Sequence, residues 1–287
     1  MMQPFFSILV VCLNPGDKLK VTLESIENQS FQDYEVIVKD GISTDGSLTY
    51  AEALLEKWQG EKKLCRLKLV SKKDSGIYDA MNQAAEAADG KYVYFLNCGD
   101  RFYSETVLAE MADFIRVCRR EGEGSTIIPG IYYGNIYERL TGQQVTSNPH
   151  MDAFGCYRNV PCHQACFYDR RLLMAHPFET RYRVRADYEQ FLWCFFTSEF
   201  QEKVDFQYKE MLIADYEGGG FSETKENRRI SAREHKEITG KYMTRGQLFK
   251  FRLILWLTLA PIRTKLAENE KTAGIYNRLK KILYLRK

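Results

Sequence analysis

Three aspartates in the first hundred residues follow apolar runs of the sequence and stand beside or near a glycine. They are Asp40, Asp74 and Asp100. Because the carboxyl ends of parallel strands lie along one edge of an open α/β sheet, we expect the three carboxylates on that edge, where ligands bind in such sheets. A carboxylate there can hold a hard divalent cation through oxygen, and the cation can hold a diphosphate. The alternative interpretation is that each aspartate belongs to a polar turn.

The run before Asp100 is typical of a strand that is buried on both faces. Residues 91–96 are mostly apolar and aromatic without polar alternation, and Asn97, Cys98 and Gly99 follow. Gly99 supplies the conformational freedom for a sharp turn. Asp100 is therefore expected at the end of a central strand.

The first 120 residues alternate four times between a strand pattern and a helix pattern. The predicted strands are residues 5–13, 34–39, 64–70 and 91–96. The helices predicted after them are residues 19–26, 51–58, 77–88 and 104–119. This alternation predicts an α/β fold with a mostly parallel sheet and helices on both faces.

After Gly130 the pattern changes to shorter and more varied elements. Residues 131–139 and 143–147 predict an antiparallel pair, and residues 148–162 are expected to form a loop. The remaining predictions are strands at 164–168 and 205–216 and helices at 170–175, 187–196 and 223–241. Residues 218–222 are either a hinge or a loop that covers a diphosphate with its backbone N–H groups.

Composition argues against several classes of protein. The chain has 287 residues, 45% of them hydrophobic and 28% charged, which is enough for a full hydrophobic core. The eight cysteines are scattered without a CxxC pair, which favours free thiols in a reducing compartment over a zinc site. We find no signal-peptide pattern and no run of 18 apolar residues, so a cytoplasmic location is expected. No nucleic-acid partner is expected.

Residues 241–287 differ in charge from the rest of the chain. They hold 12 Lys and Arg against two Asp and Glu, although the whole chain has a net charge of only +3. The apolar residues 249–262 fall short of the about 20 residues that a membrane span needs. Trp256 and the flanking basic residues suit an amphipathic helix on the inner face of the plasma membrane. Packing on the preceding domain or in a homodimer is the alternative.

Six motifs of the chain resemble those of the inverting glycosyltransferases of family 2, which have the GT-A fold. In chain order they are Ser7 to Asn14, Asp40 to Ser47, Asp74 to Asn82, Phe95 to Asp100, His163-Gln164 and Ala186-Asp187-Tyr188. The resemblance covers residues 5 to about 220. It is greatest to bacterial enzymes that build capsule, exopolysaccharide or lipopolysaccharide.

The resemblance implies roles for particular residues. Asp187 matches the catalytic base, and Asp100 matches the carboxylate that binds Mn²⁺ or Mg²⁺. The positions that match donor-binding residues are Leu13, Asn14, Asp40, Ser43, Asp45, Asp74, Gly76, Asn97, His163 and Gln164. Gly99 and Ala186 stand where many members have acidic residues. For Asp187 the alternative is a helix N-cap, for Asp45 a turn, and for His163 an ordinary structural histidine.

The resemblance also implies a division of the chain and an activity. Residues 1–240 would form the catalytic domain, with a nucleotide-sugar-binding half at 1–120 and an acceptor half at 121–240, followed by the extension at 241–287. The donor would be a UDP-sugar and the acceptor a saccharide or lipid-linked saccharide. One alternative is an inactive sugar-nucleotide-binding or scaffolding module. The other is a nucleotidyltransferase, which lacks support because no Gly-rich basic loop follows the first strand.

Overall fold

The computed structural model describes residues 3–61, 65–120, 128–196, 204–219 and 224–258. Contacts within the chain divide it into two compact units, Met1–Ile238 and Thr239–Lys287. The strands are β1 (Phe6–Cys12), β2 (Tyr34–Asp40), β3 (Arg66–Ser71), β4 (Tyr92–Phe95), β5 (Arg101–Phe102), β6 (Gly130–Glu138), β7 (Gln143–Val145), β8 (Cys166–Asp169) and β9 (Asp205–Tyr216). The helices are α1 (Lys18–Glu27), α2 (Leu48–Gly60), α3 (Ile77–Glu86), α4 (Val107–Arg120), α5 (Ala153–Arg158), α6 (Arg170–Ala175), α7 (Ala186–Phe196), α8 (Lys225–Tyr242) and α9 (Arg245–Leu257).

The first unit is built on one mixed sheet. Its strand order is β3-β2-β1-β4-β8-β6-β9-β5, and β7 pairs with β6. The first four strands of this order are parallel, whereas β8 runs antiparallel to both β4 and β6. Strand β8 thus joins a parallel half, which comes from the first part of the chain, to a second half. The α/β alternation predicted for residues 5–119 is confirmed.

The apolar runs of the sequence form the core. All seven residues of β1 and of β2 are buried, as are all four of β4, as expected for strands covered on both faces. Aromatic rings fill the space beside β4, where Tyr94 stacks between Phe102 and Phe167 at centroid distances of 5.1 and 4.4 Å. This packing fixes the end of β4, from which Asp100 follows.

The second half of the unit differs from the sequence prediction in two places. The strand predicted at 164–168 begins only at Cys166, because residues His163–Ala165 form a 3-10 helix. The antiparallel pair of β6 and β7 is confirmed, with Ile136 opposite Val145. The predicted loop at 148–162 instead contains helix α5, whose N-cap Asp152 accepts a hydrogen bond from the backbone N–H of Gly155 at 2.6 Å. A helix of six residues is too short to show a helical period in the sequence, so the prediction of a continuous loop was wrong.

The second unit is described as far as Thr258. Helix α9 begins with a capping box between Thr244 and Gln247. Within the described residues, no helix combines the length and the apolar character needed to cross a membrane. The part of the basic extension after Thr258 lies outside the described residues, as do residues 220–222 of the glycine-rich loop.

Candidate active site

Asp40 ends β2 and is fully buried. Its carboxylate accepts hydrogen bonds from the backbone N–H groups of Ile42 and Ser43 at 3.0 and 3.1 Å and from the Ser71 hydroxyl at 2.7 Å. Burial alone would raise the pKa of Asp40, but the hydrogen bonds from Ser43, Ser71 and Ile42 outweigh it and hold the pKa below the usual value. Asp40 is therefore a fixed, ionised carboxylate at the strand end.

Lys39 connects the Asp40 segment to Asp74. The Nζ atom of this fully buried lysine lies 2.7 Å from Asp74 Oδ2 and 3.0 Å from the backbone carbonyl oxygen of Asp40. Asp74 Oδ1 also accepts a hydrogen bond from the backbone N–H of Gly76, directly before α3. A Cβ atom at Gly41 would lie 2.9 Å from Asp74 Oδ2 and 3.3 Å from Leu13 Cδ1, so only a glycine allows these groups to approach so closely.

The loops after β1 and β2 hold each other through three hydrogen bonds. The Asn14 backbone N–H donates to the Ser43 hydroxyl at 2.7 Å, and the Asn14 side-chain oxygen accepts from the Thr44 N–H at 2.9 Å. Asp45 accepts from the Gly16 N–H at 2.9 Å and also bonds to Ser47, as a turn residue does. These loops leave two apolar side chains exposed beside Asp40, since Leu13 is 60% exposed and Ile42 51%.

Asp100 belongs to a second group of contacts. Its carboxylate, only 3% exposed, accepts hydrogen bonds from the Gln164 side-chain amide and, at 2.7 Å, from the backbone N–H of Glu217. Burial raises the pKa of Asp100 to about 6 against the opposing effects of the Glu217 N–H, His163 and Arg139. Near Asp100 in sequence, the Oδ1 atom of Asn97 is buried and has no hydrogen-bond partner among the residues that the structure describes.

Asp187 lies in the first turn of α7 and carries two side-chain contacts from distant parts of the chain. The Tyr78 hydroxyl is 2.7 Å from Asp187 Oδ1, and His163 Nδ1 is 3.3 Å from Asp187 Oδ2. Burial would raise the pKa of Asp187, but the hydrogen bonds from His163 and from the Tyr78 hydroxyl lower it below the usual value. Since α7 already begins at Ala186, the N-cap interpretation of Asp187 is wrong.

His163 links Asp187 to the residues around Asp100. Its other ring nitrogen, Nε2, lies 3.3 Å from the side-chain nitrogen of Asn97, which can only donate. Nε2 therefore accepts, and Nδ1 carries the proton that faces Asp187. The next residue, Gln164, bonds to Asp100, so one short 3-10 helix contacts both carboxylates.

Asp187 also lines a cavity of about 840 Å³. The cavity wall is mostly polar, and residues of α5 and of the segment before it contribute much of it. The polar groups on the wall include Thr146, Ser147, Asn148, His150, Asp152, Arg158, Asn159, Arg185 and Ser231. A cavity of this size and polarity can bind a molecule with many hydroxyl groups beside the ionised carboxylate of Asp187.

The structure divides the residues singled out from the sequence into two sets of contacts. The first set lies around the ends of β1, β2 and β3 and consists of Leu13, Asn14, Asp40, Ser43, Asp45, Asp74 and Gly76. The second set consists of Asn97, Asp100, His163, Gln164 and Asp187. Three residues of the site, Tyr78, Lys39 and Glu217, were not predicted from the sequence. Tyr78 belongs to one of the six motifs, but the sequence does not reveal which residue its hydroxyl contacts.

Comparisons with known proteins agree on a family. The model of glycosyl transferase family 2 matches residues 7–173. A PGL/p-HBAD biosynthesis glycosyltransferase of Mycobacterium bovis is 34% identical over 226 residues, which make up 78% of this chain and 81% of that protein. A protein of the same description from Mycobacterium tuberculosis matches equally.

Solved structures show the same fold at low sequence identity. TarS from S. aureus in complex with UDP superposes with a TM-score of 0.55 at 18% identity, over 74% of this chain and 60% of the TarS chain. The mannosyltransferase PcManGT from Pyrobaculum calidifontis, in complex with GDP-Man and Mn²⁺, gives a TM-score of 0.55 at 13% identity, over 96% of this chain and 84% of that one. Taken with the site described above, the family match establishes that the chain is a glycosyltransferase of family 2 with the GT-A fold.

Proposed function

We propose that this glycosyltransferase moves a sugar, with inversion, from a UDP-sugar to a saccharide or lipid-linked saccharide during the synthesis of a bacterial polysaccharide. The observation that carries the proposal is the position of Asp187, an ionised carboxylate on the wall of a polar cavity and held from behind by His163 and Tyr78. An inverting transfer needs such a group, because the acceptor hydroxyl must lose its proton as it attacks the anomeric carbon.

The donor would lie between the two sets of contacts. Asp40, Asp74 and the exposed Leu13 would meet the nucleotide, since an ionised carboxylate can accept from a ribose or base and an apolar side chain can pack on a ring. TarS binds UDP and UDP-GlcNAc, and PcManGT binds GDP-Man. These neighbours support a nucleotide-sugar donor here.

The residues around Asp100 fit a divalent cation. Carboxylate and amide oxygens are the ligands that Mg²⁺ and Mn²⁺ prefer, and Asn97 Oδ1 is a buried oxygen that has no other partner among the described residues. Each carboxylate oxygen of Asp100 accepts one hydrogen bond and keeps a second lone pair. A cation held there would offset the negative charge that develops on the leaving nucleoside diphosphate. Gln164 keeps Asp100 oriented for this task.

The acceptor would enter the cavity beside Asp187. A mostly polar wall favours a saccharide over an extended apolar ligand, because each hydroxyl can find a hydrogen-bond partner there. We also propose that α9 contacts the membrane, which would suit an acceptor saccharide that is attached to a lipid carrier. The exposed side chains of α9, which include Phe249 and Trp256 beside Lys250 and Arg252, suit peripheral contact with the inner face of the plasma membrane.

The test is transfer and hydrolysis of a panel of UDP- and GDP-sugars by the full-length protein, with Mn²⁺, with Mg²⁺ and with EDTA. We expect turnover of one UDP-sugar in the presence of metal, and NMR of the product should show the opposite anomeric configuration from the donor. Nucleotide binding without any turnover would favour the inactive binding module instead. Formation of a nucleotide-sugar from a sugar phosphate and UTP would identify a nucleotidyltransferase.

A further inference from the structure

The carboxylate of Glu217 occupies the space beside Gly99. A Cβ atom placed on Gly99 would lie 2.6 Å from Glu217 Oε2, closer than real Cβ contacts allow, and 3.3 Å from Glu217 Cδ. Gly99 also has a φ of +98°, which side chains rarely adopt. The chain therefore has no side chain at the position directly before Asp100, and an acidic group from the residue after β9 lies there instead.

The backbone around Glu217 is fixed to the Asp100 turn. The Glu217 N–H donates to Asp100 Oδ1 at 2.7 Å, and two residues earlier Asp215 pairs with Arg101 in the β5–β9 ladder. The Arg139 guanidinium bonds to the carbonyl oxygen of Gly99 and lies 3.1 Å from Asp215 Oδ1. These contacts hold the start of the Glu217 side chain in one place next to Asp100.

The Glu217 carboxylate is more exposed to solvent than the carboxylate of Asp100. The Glu217 side chain is 41% exposed, whereas Asp100 is 3% exposed. Its partner is Lys18, whose Nζ lies 2.6 Å from Glu217 Oε2 and whose side chain is 55% exposed. An ion pair between two exposed groups is weak, so Glu217 can exchange the ammonium group of Lys18 for a divalent cation at little cost.

We propose that Glu217 supplies a second carboxylate to the cation site at Asp100, in place of the side chain that Gly99 lacks. The inference rests on the proposed cation at Asp100. Hard divalent cations bind more tightly as the number of charged oxygen ligands rises, and Asp100 alone provides one. When Glu217 turns to the cation, Lys18 is free to meet a phosphate oxygen of the donor.

The experiment measures the affinity of the full-length protein for Mn²⁺ in the presence of UDP, from the electron paramagnetic resonance signal of free Mn²⁺. We expect Glu217→Gln, which keeps the shape of the side chain, to weaken Mn²⁺ binding at least tenfold. Glu210→Gln, at an exposed position of β9, the strand that precedes Glu217, is the matched control and should bind as the wild type does. Lys18→Met removes the competing cation and should bind Mn²⁺ equally well or more tightly.

Two outcomes overturn the inference and are distinguishable. If the wild type binds Mn²⁺ and Glu217→Gln binds it equally well, Glu217 only tethers Lys18, and the proposed cation at Asp100 stands without it. If the wild type with UDP binds no Mn²⁺, the cation site itself fails along with the inference, and the transfer assay with EDTA then decides whether the proposed function survives without metal.

A transplant of the carboxylate gives a second, independent measurement. Gly99→Asp should lower the melting temperature, because a side chain at a φ of +98° is strained and its Cβ atom would also meet Glu217 Oε2. Glu217→Ala removes the second of these effects and opens the space for the new side chain, although the backbone strain stays. We expect the double variant to recover part of the Mn²⁺ affinity that Glu217→Ala loses. A folded double variant that binds Mn²⁺ no better than Glu217→Ala would contradict the proposal that the Glu217 carboxylate takes the place of a side chain at residue 99.

Discussion

The Nδ1 atom of His163 lies 3.3 Å from the Oδ2 atom of Asp187, and its proton points at that carboxylate because Nε2 faces the side-chain nitrogen of Asn97. A histidine in this arrangement stabilises the ionised form of the aspartate and fixes its direction. It also ties the proposed base to Asn97, on the strand end that carries Asp100. The imidazole ring of His163 thus contacts both the proposed general base and a residue beside the proposed cation site.

Replacing Asp187 should remove the base while leaving the donor site intact. We expect Asp187→Asn to lower kcat by roughly 10²- to 10⁴-fold, the usual contribution of a general base. The Kd for UDP, measured by calorimetry, should stay within about twofold of the wild type, since the nucleotide would meet the other set of residues. Asp113→Asn, on an exposed position of α4, serves as the control. A loss confined to UDP binding would reassign Asp187 to the donor site.

Replacing His163 should change the pH dependence of the same step. His163 helps to hold the pKa of Asp187 below its usual value. Without that donor the carboxylate becomes easier to protonate, so the acid limb of the kcat profile of His163→Leu, whose side chain cannot donate, should move to higher pH. Tyr78→Phe should move it in the same direction, because the Tyr78 hydroxyl is another donor to Asp187. A profile that keeps its acid limb while kcat falls would mean that His163 acts elsewhere.

The parallel half of the fold follows from the sequence, because buried strands need continuous apolar runs and those runs are local. The sequence also indicated Asp100 and Asp187 as candidate site residues, because each belongs to a motif and follows a predicted strand or begins a predicted helix. It did not indicate Tyr78 or Glu217 because their contacts span 109 and 117 residues and depend on tertiary packing. Lys39 was not predicted for a different reason. It is fully buried in β2, whereas lysine side chains are usually exposed to solvent.

Asp100 should make the protein less stable as the pH rises. Its folded-state pKa of about 6 lies above the usual aspartate value of 3.8, so its contribution to stability is complete below pH 3.8 and is lost as the pH rises through 6. Relative to Asp100→Asn, the wild type in EDTA should lose about 1 kcal/mol of unfolding free energy between pH 5 and pH 7.5. Urea denaturation at the two pH values measures it. Parallel changes in both proteins would show that Asp100 is not desolvated.

Leu13 tests the proposed nucleotide site without disturbing the core. Because its side chain is 60% exposed, Leu13→Ser should change the unfolding free energy by less than about 0.5 kcal/mol. If the base of the nucleotide packs on Leu13, the same change should weaken UDP binding by about three- to tenfold, the effect of losing a few apolar contacts. Val117→Ser, at a similarly exposed position of α4, is the control. Equal UDP affinity in all three proteins would remove Leu13 from the site.

Helix α9 exposes apolar and basic side chains, from which we predict that it binds a membrane surface. Phe249, Leu253, Trp256 and Leu257 follow one another at helical spacing, and all four are exposed. The basic Lys250 and Arg252 are exposed as well. Such a helix should lie on an anionic bilayer, where each basic residue contributes about 1 kcal/mol and the aromatic side chains enter the interface.

Co-sedimentation with vesicles tests this role of α9 directly. The full-length protein should bind vesicles that contain phosphatidylserine at low salt, and binding should fall as salt is added because the charges become screened. Phe249→Ser combined with Trp256→Ser should lower the bound fraction several-fold, whereas Val117→Ser in the first unit should not. If the double variant binds vesicles as the wild type does, or neither binds at low salt, α9 has another role. A change from dimer to monomer in the double variant, by light scattering, would then assign the exposed face to a second copy of the chain.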